Sequence, residues 1–170
     1  MKNITKIFVI ALVALGFATT SYAQVKATAT ATGTIVSPIA IANAGDMNFG
    51  NVAVSAASGT VILAPAGSRT ATGGVTLPAV PGSVAAAKFA VTGTQAYTYG
   101  ITLPSSATTV TSGGNTMTVD AFTSSPSLTG VLDGSGKQTI SVGASLNVGA
   151  AQAAGTYVSG IPFEVSVNYN

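Results

Sequence analysis

Residues 161–169 read IPFEVSVNY, and their apolar side chains recur at every second position. Ile161, Phe163, Val165, Val167 and Tyr169 therefore share one face, and the residues between them are mostly polar. Successive side chains of a β-strand point to opposite faces of the sheet, so a period of two indicates a strand that is buried on one side. The stretch predicts a half-buried β-strand close to the C-terminus.

The same spacing continues from residue 24 to residue 170, with abundant Val, Ile, Thr and Tyr and with Gly, Pro, Ser and Asn about every eight to twelve residues. This rhythm predicts an all-β, antiparallel β-sandwich in a single domain. Residues 131–140 predict a hairpin that turns at Asp133, since Asp and Gly tolerate the backbone angles of tight turns. Residues 79–87 and 108–115 are interpreted as connecting loops.

The N-terminal 23 residues have the features of a secretory signal peptide. Lys2 and Lys6 form a short positive region, residues 7–17 are almost continuously apolar, and residues 21–23 read SYA, the small-x-small pattern of a cleavage site. The apolar run is shorter than the ~20 residues that a bilayer requires, so we predict cleavage rather than membrane insertion. The mature protein is expected to be secreted or held at the cell surface after passing through the periplasm.

Charge is scarce and balanced in the predicted mature chain. The sequence has six Lys and Arg residues and four Asp and Glu residues, and two of the cations belong to the signal peptide. Four positive and four negative side chains remain. Binding to nucleic acid depends on clustered Lys and Arg, so we expect no nucleic-acid partner. A neutral surface also favours association between copies.

The residue types that carry most catalysis and metal binding are missing. The sequence contains no His and no Cys, which removes the usual general base, the thiol nucleophile and the commonest metal ligands. Four carboxylates lie far apart in the sequence, without a paired motif of the kind that glycosidases use. Asp133 is interpreted as a turn residue. We therefore predict no enzymatic activity, no cofactor and no metal.

Residues 25–35 read VKATATATGTI and alternate over eleven positions. One face carries mostly small side chains, namely Val25, Ala27, Ala29, Ala31, Gly33 and Ile35. Alanine fills a pocket less than Val, Ile or Leu, and each missing methylene forgoes ~0.8 kcal/mol of burial. The stretch has two interpretations: the first strand of a complete domain, or an N-terminal extension over residues 24–36 that pairs with another subunit.

Several segments together resemble a bacterial family of uncharacterised secreted domains, a domain of unknown function that is itself similar to the spore coat protein U group and to chaperone-usher pilins. The segments are ATGTIVSPI at 31–39, MNFGNV at 47–52, GTV at 59–61, GTY at 155–157 and FEVSVNY at 163–169. The Asn-Phe-Gly and Gly-Thr-Tyr elements are the most specific of these. The resemblance covers nearly all of the predicted mature chain.

The pilin resemblance implies an immunoglobulin-like sandwich that a strand from a neighbouring subunit completes. Residues 25–35 would be the donor strand, and the acceptor or chaperone-pairing strand would comprise Phe163, Val165, Val167 and Tyr169. The implied partners are other secreted subunits, identical or different, with a periplasmic chaperone and an usher. The expected function is that of a structural subunit of a surface fibre or coat. The alternative is a self-contained secreted β-sandwich that binds a surface glycan or protein ligand.

Overall fold

The computed structural model describes residues 23–170, so the predicted signal peptide lies outside the described residues except for Ala23. The described part forms thirteen β-strands: β1 Ala40–Gly45, β2 Asn48–Phe49, β3 Ala53–Leu63, β4 Arg69–Thr76, β5 Val84–Ala85, β6 Ala87–Thr92, β7 Thr98–Thr102, β8 Thr108–Ser112, β9 Asn115–Ser125, β10 Thr129–Val131, β11 Lys137–Val148, β12 Val158–Ser159 and β13 Ser166–Tyr169. It contains no helix that could span a membrane. The prediction of an all-β protein is confirmed.

Two sheets make up most of the domain, and all the strand pairings are antiparallel. The larger sheet runs β1-β6-β11-β9-β8-β12, and β3 and β4 join it through β11. The twelve residues of β11 pair first with β6 and then with β3 on one edge, and with β9 on the other. The smaller sheet runs β10-β7-β13, and β2 pairs with β5. Strand β11 is therefore the centre of the fold.

Buried apolar side chains form two core clusters. The first joins side chains from both sheets: Ala87, Val91, Tyr99, Ile101, Leu132, Ile140, Val142 and Val165. The second lies within the larger sheet's half of the domain: Val61, Val75, Val119, Ala144, Leu146 and Val148. Met47 and Phe122 pack against both clusters. Every second side chain of these strands thus points into the domain, as the alternation in the sequence predicted. The predicted β-sandwich is confirmed.

The predicted hairpin at residues 131–140 is a turn between the two sheets. Asp133 N–H donates to the carbonyl oxygen of Lys137 over 3.0 Å, which closes the turn. The strand before it, β10, pairs with β7, whereas β11 pairs with β6. Strand β10 fits closely beside β7 because residue 130 is glycine: a Cβ there would lie 2.3 Å from Cζ of Tyr99. The turn was predicted correctly, and the pairing of its two flanking strands was wrong.

The interpretation of residues 108–115 as a loop is also wrong. Thr108–Ser112 forms β8, which pairs with the start of β9 from Thr108 opposite Val119 to Ser112 opposite Asn115. Gly113, with a φ of 59°, lies in the tight turn between them. The threonines suit an extended backbone, since β-branched side chains favour strands even where they face solvent.

Two stretches predicted as strands are mostly irregular. Residues 25–35 form no strand in the structure. The predicted C-terminal strand at residues 161–169 is reduced to β13, Ser166–Tyr169, and the segment before β13 includes Pro162, which has no N–H to contribute to a ladder. Side-chain burial still alternates from Phe163 to Tyr169. The pattern therefore identified the buried face from Phe163 to Tyr169 correctly and overestimated the paired length. Ile161, predicted on the same face, is 82% exposed.

Candidate functional site

The last strand of the chain lies at the edge of the smaller sheet. Ser166–Tyr169 of β13 pair with Tyr99–Thr102 of β7, and the other edge of β13 has no partner among the described residues. Val165 is buried, and Phe163, Val167 and Tyr169 are partly buried. The four predicted acceptor residues therefore face the core together, although Phe163 and Val165 precede the strand. Unpaired N–H and C=O groups at such an edge can pair with another strand.

An edge of the larger sheet lies close by. Strand β1 pairs only with β6 in the described part of the chain, and it packs near β13. Ile39 and Ile41 from this segment contact the first core cluster, as do Val167 and Tyr169. Two strands with free edges, one from each sheet, thus flank the same side of the sandwich. We call this side the β1/β13 gap.

Three phenylalanines pack against the first core cluster. The ring of Phe163 lies edge-on to Phe89 with centroids 6.3 Å apart, and it lies 4.9 Å from the ring of Phe122. All three are partly buried and contact the first core cluster. Aromatic pairs at these separations are favourable beyond the area that they bury. The three rings therefore pack tightly at the margin of the first core cluster.

The hydroxyl of Tyr169 fixes the point where the N-terminal segment enters the domain. It accepts a hydrogen bond from Thr94 N–H over 2.7 Å and donates one to the carbonyl oxygen of Ser37 over 2.9 Å. Ser37 N–H donates in turn to Oγ1 of Thr94 over 2.9 Å. Both backbone groups of Ser37 are therefore occupied. Nothing in the sequence indicated that Thr94 and Ser37 contact Tyr169, because only folding brings the three residues together.

The predicted donor residues lie in an exposed segment. Every residue from 24 to 35 is exposed, with Val25 95% and Ile35 100% accessible. The compact unit of the domain begins at Ile35. Val25, Ala27, Ala29, Ala31, Gly33 and Ile35 are thus available to a partner, whereas an ordinary first strand would be paired and half-buried.

The Asn-Phe-Gly element has a structural role. Nη1 of Arg69 donates to the carbonyl oxygens of Phe49 and, over 3.0 Å, Asn51. Asn51 N–H donates to the carbonyl oxygen of Pro81 over 2.7 Å. Gly50 has a φ of 66°, a conformation that favours glycine. These contacts tie the turn after β2 to the loop before β5. The element therefore has a structural role in holding the two loops together.

The Gly-Thr-Tyr element also organises a loop. The hydroxyl of Tyr157 donates to the carbonyl oxygen of Ala153 and accepts from Nε2 of Gln152, both over 2.8 Å. A Cβ at residue 155 would lie 2.4 Å from Oγ of Ser112. The glycine therefore allows the loop to pack against the end of β8, and the tyrosine closes it.

Two of the acidic side chains accept hydrogen bonds from nearby asparagines. Asp120 accepts from Nδ2 of Asn147 over 2.9 Å, and Asp46 accepts from Nδ2 of Asn43 over 2.7 Å. Glu164 lines an open depression of about 400 Å³ beside Ser166. Residues 23–170 contain no cluster of three or more acidic side chains that could hold a metal.

Asp133 stabilises the turn between the sheets in its ionised form. Its Oδ1 accepts from the N–H and Oγ of Ser135, over 2.8 Å and 2.7 Å, and from Lys137 N–H over 2.9 Å. The bond from Lys137, followed by those from Ser135, lowers the pKa of this carboxyl below its usual value. A lowered folded-state pKa gives stability that is present above the unfolded-state pKa and lost as the pH falls through the folded-state pKa.

We therefore expect Asp133→Asn to remove part of the acid sensitivity of the protein. The stability difference between wild type and variant should be constant at neutral pH and should shrink as the pH falls below about 4, the ordinary range of an aspartate. Urea unfolding followed by circular dichroism from pH 7 to pH 3 measures it. A difference that does not change with pH would contradict this assignment.

The fold and the β1/β13 gap define an all-β sandwich protein with a free strand edge and an exposed alternating segment before its first strand. The chain belongs to the family described as Domain of unknown function (DUF4402), whose model matches residues 39–169. The predicted membership of an uncharacterised domain family is confirmed, and residues 24–38 precede the matched range. No curated protein and no solved structure matches the chain.

Proposed function

We propose that this protein is a secreted structural subunit of a surface fibre or coat, and that its copies assemble by β-strand addition. One observation carries the proposal: an exposed segment with a strand-like alternation occurs in the same chain as a strand edge, at the core, that has no partner within residues 23–170. In strand addition, main-chain hydrogen bonds provide affinity, and every second side chain enters the groove. The sandwich would then be pilin-like and immunoglobulin-like.

The surface chemistry supports a structural role. The predicted mature chain has equal numbers of positive and negative side chains, so copies do not repel one another strongly. The two most specific sequence elements, Asn-Phe-Gly and Gly-Thr-Tyr, hold loops in place. A periplasmic chaperone that covers the free edge of β13 before assembly belongs to the same proposal, as does export with removal of residues 1–23.

The exported protein tests the proposal directly. Its intact mass should correspond to a chain that begins at Gln24. Native mass spectrometry over a hundredfold range of concentration should show dimers and larger species whose fraction rises with concentration, because association obeys mass action. A chain that still begins at Met1 would contradict the proposed export. A chain that stays monomeric throughout, with residues 25–35 protected from hydrogen exchange, would contradict assembly.

A glycan-binding function has one observation in its favour. On the outer face of the larger sheet, a row of polar side chains crosses five neighbouring strands in register: Thr109, Thr118, Asn147, Thr60 and Thr72. Nδ2 and Oδ1 of Asn147 hydrogen-bond the threonine hydroxyls on either side of it. Such a face could bind an uncharged polysaccharide. Retention of a monomeric protein on insoluble polysaccharide would favour this function over the fibre subunit.

A further inference from the structure

The outer face of the larger sheet carries the polar row, which comprises Thr109, Thr118, Asn147, Thr60 and Thr72. Asn147, on the central strand β11, donates from Nδ2 to Asp120 over 2.9 Å and to Oγ1 of Thr118 over 3.4 Å. Its Oδ1 accepts from Oγ1 of Thr60 over 3.3 Å. An amide whose oxygen and nitrogen are both bonded is held in one orientation. Asn147 therefore determines what its two threonine neighbours offer to a ligand.

The two hydroxyls beside Asn147 present opposite halves of a hydrogen bond. The Thr118 hydroxyl accepts from Asn147, so its own hydrogen can be donated to a ligand. The Thr60 hydroxyl donates its hydrogen to Asn147, so it offers a ligand only lone pairs. A ligand hydroxyl both donates and accepts and therefore matches either neighbour, whereas a carboxylate only accepts and an ammonium group only donates. The pattern favours a ligand rich in hydroxyl groups.

The charge around the polar row favours an uncharged ligand. The row itself contains no ionisable side chain. One step along the same strands lie, in register, Asp120, Ser145, Ile62 and Thr70. Asp120 would repel an acidic polymer, and these two rows contain no Lys or Arg to attract one. Ile62, which is 45% exposed, supplies an aliphatic surface for the C–H groups of a sugar ring.

The polar row is long and ends at an open depression. Neighbouring strands lie ~4.8 Å apart, so a row across five strands spans about 19 Å. At the β8 end, a depression of about 370 Å³ is lined by Ala107, the three threonines of β8 and residues 160–162. Thr109 belongs to both the row and the depression, and Ile161, 82% exposed, gives the depression an aliphatic wall. The length and the mixed lining suit a chain of several sugars.

We infer that the polar row and this depression form one binding face for an uncharged, hydroxyl-rich polysaccharide, with one end of the bound segment in the depression. The inference specifies the ligand and the site of the second function considered above. It does not depend on strand addition, since none of these residues belongs to β1 or β13. A fibre of such subunits would present the face many times, and linked sites raise avidity without new contacts.

The test is the double substitution Thr72→Val with Thr109→Val in the exported chain. Valine keeps the branched shape and the strand preference of threonine but lacks its hydroxyl. Both residues are exposed, at the two ends of the row, so the fold and the hydrogen bonds of Asn147 should remain. Wild type should be retained on particles of microcrystalline cellulose or chitin, which are uncharged. The variant should bind about tenfold more weakly, the effect of two lost hydrogen bonds.

The matched control removes two hydroxyls from the smaller sheet. Thr98 of β7 and Thr129 of β10 are also exposed. Thr98→Val with Thr129→Val should therefore bind the particles within about twofold of wild type. Weaker retention of only the polar-row variant supports the inference. Equal retention of the two variants would overturn it, because the site would then lie elsewhere.

Two further outcomes separate this inference from the proposed fibre subunit. Retention of wild type on an acidic alginate gel as strong as on the uncharged particles would overturn the inferred ligand class. Native mass spectrometry of the same samples reports assembly independently. A protein that assembles but is retained on neither cellulose nor chitin would overturn this inference and leave the fibre subunit standing. A protein that is retained through the polar row but stays monomeric would support the inference and contradict the fibre subunit.

Discussion

The double substitution Ala29→Asp with Ala31→Asp should abolish assembly while leaving the domain folded. Both positions belong to the in-facing set whose side chains strand addition would turn towards the apolar core. An unpaired charge that leaves water for an apolar site costs several kcal/mol, and every 1.4 kcal/mol is a factor of ten in affinity. Two such charges therefore correspond to a loss of more than a thousandfold. Size-exclusion chromatography at the highest attainable concentration should show only the monomer.

The matched control carries the same two charges on the opposite face. Thr28→Asp with Thr30→Asp has the same composition of added charge, but its carboxylates would point to solvent in an added strand. We expect this variant to assemble with an affinity within about tenfold of wild type, since exposed charges interact weakly. If both variants lost assembly equally, the added net charge would explain the loss, whichever face of the strand carried it. The proposed donor face would then be wrong.

The sequence predicted the buried faces of this protein more reliably than the partners of its strands. Alternation from Phe163 to Tyr169 correctly identifies which side chains face the core, because a strand's side chains have a period of two whether or not its ladder is complete. Alternation does not specify which strand lies alongside. The turn at Asp133 shows this: β10 and β11 follow one another closely and still belong to different sheets.

The candidate site was partly visible in the sequence for the same reason. Its two ends, residues 25–35 and 163–169, have conspicuous alternation. The bonds that connect them do not: Thr94 is 57 residues from Ser37, and Tyr169 is 132 residues from it. A single Ser, Thr or Tyr has many possible partners at such distances, and only the packing of β6, β7 and β13 selects one. The Tyr169 hydroxyl contacts were therefore beyond prediction.

The Asn-Phe-Gly element gives the second large expected effect: Gly50→Ala should destabilise the domain by about 3–5 kcal/mol, the range of severe single substitutions. Two costs combine. A side chain at a φ of 66° costs roughly 1 kcal/mol. The new Cβ would also lie 2.2 Å from the carbonyl oxygen of Pro81, which is fixed by its hydrogen bond from Asn51 N–H. Relief of this contact requires separating the turn after β2 from the loop before β5.

Gly67→Ala is the control that isolates the second cost. Gly67 also has a positive φ, 86°, but an added Cβ would meet nothing within 4 Å. The Gly67→Ala variant should therefore lose only about 1 kcal/mol of unfolding free energy, which is the cost of placing a side chain at a positive φ. Urea unfolding of both variants in the Ala29→Asp, Ala31→Asp background avoids the concentration dependence that assembly would introduce. Equal losses at the two positions would mean that the Pro81 loop moves freely, and the close approach of Gly50 to Pro81 would then not be the reason that residue 50 is glycine.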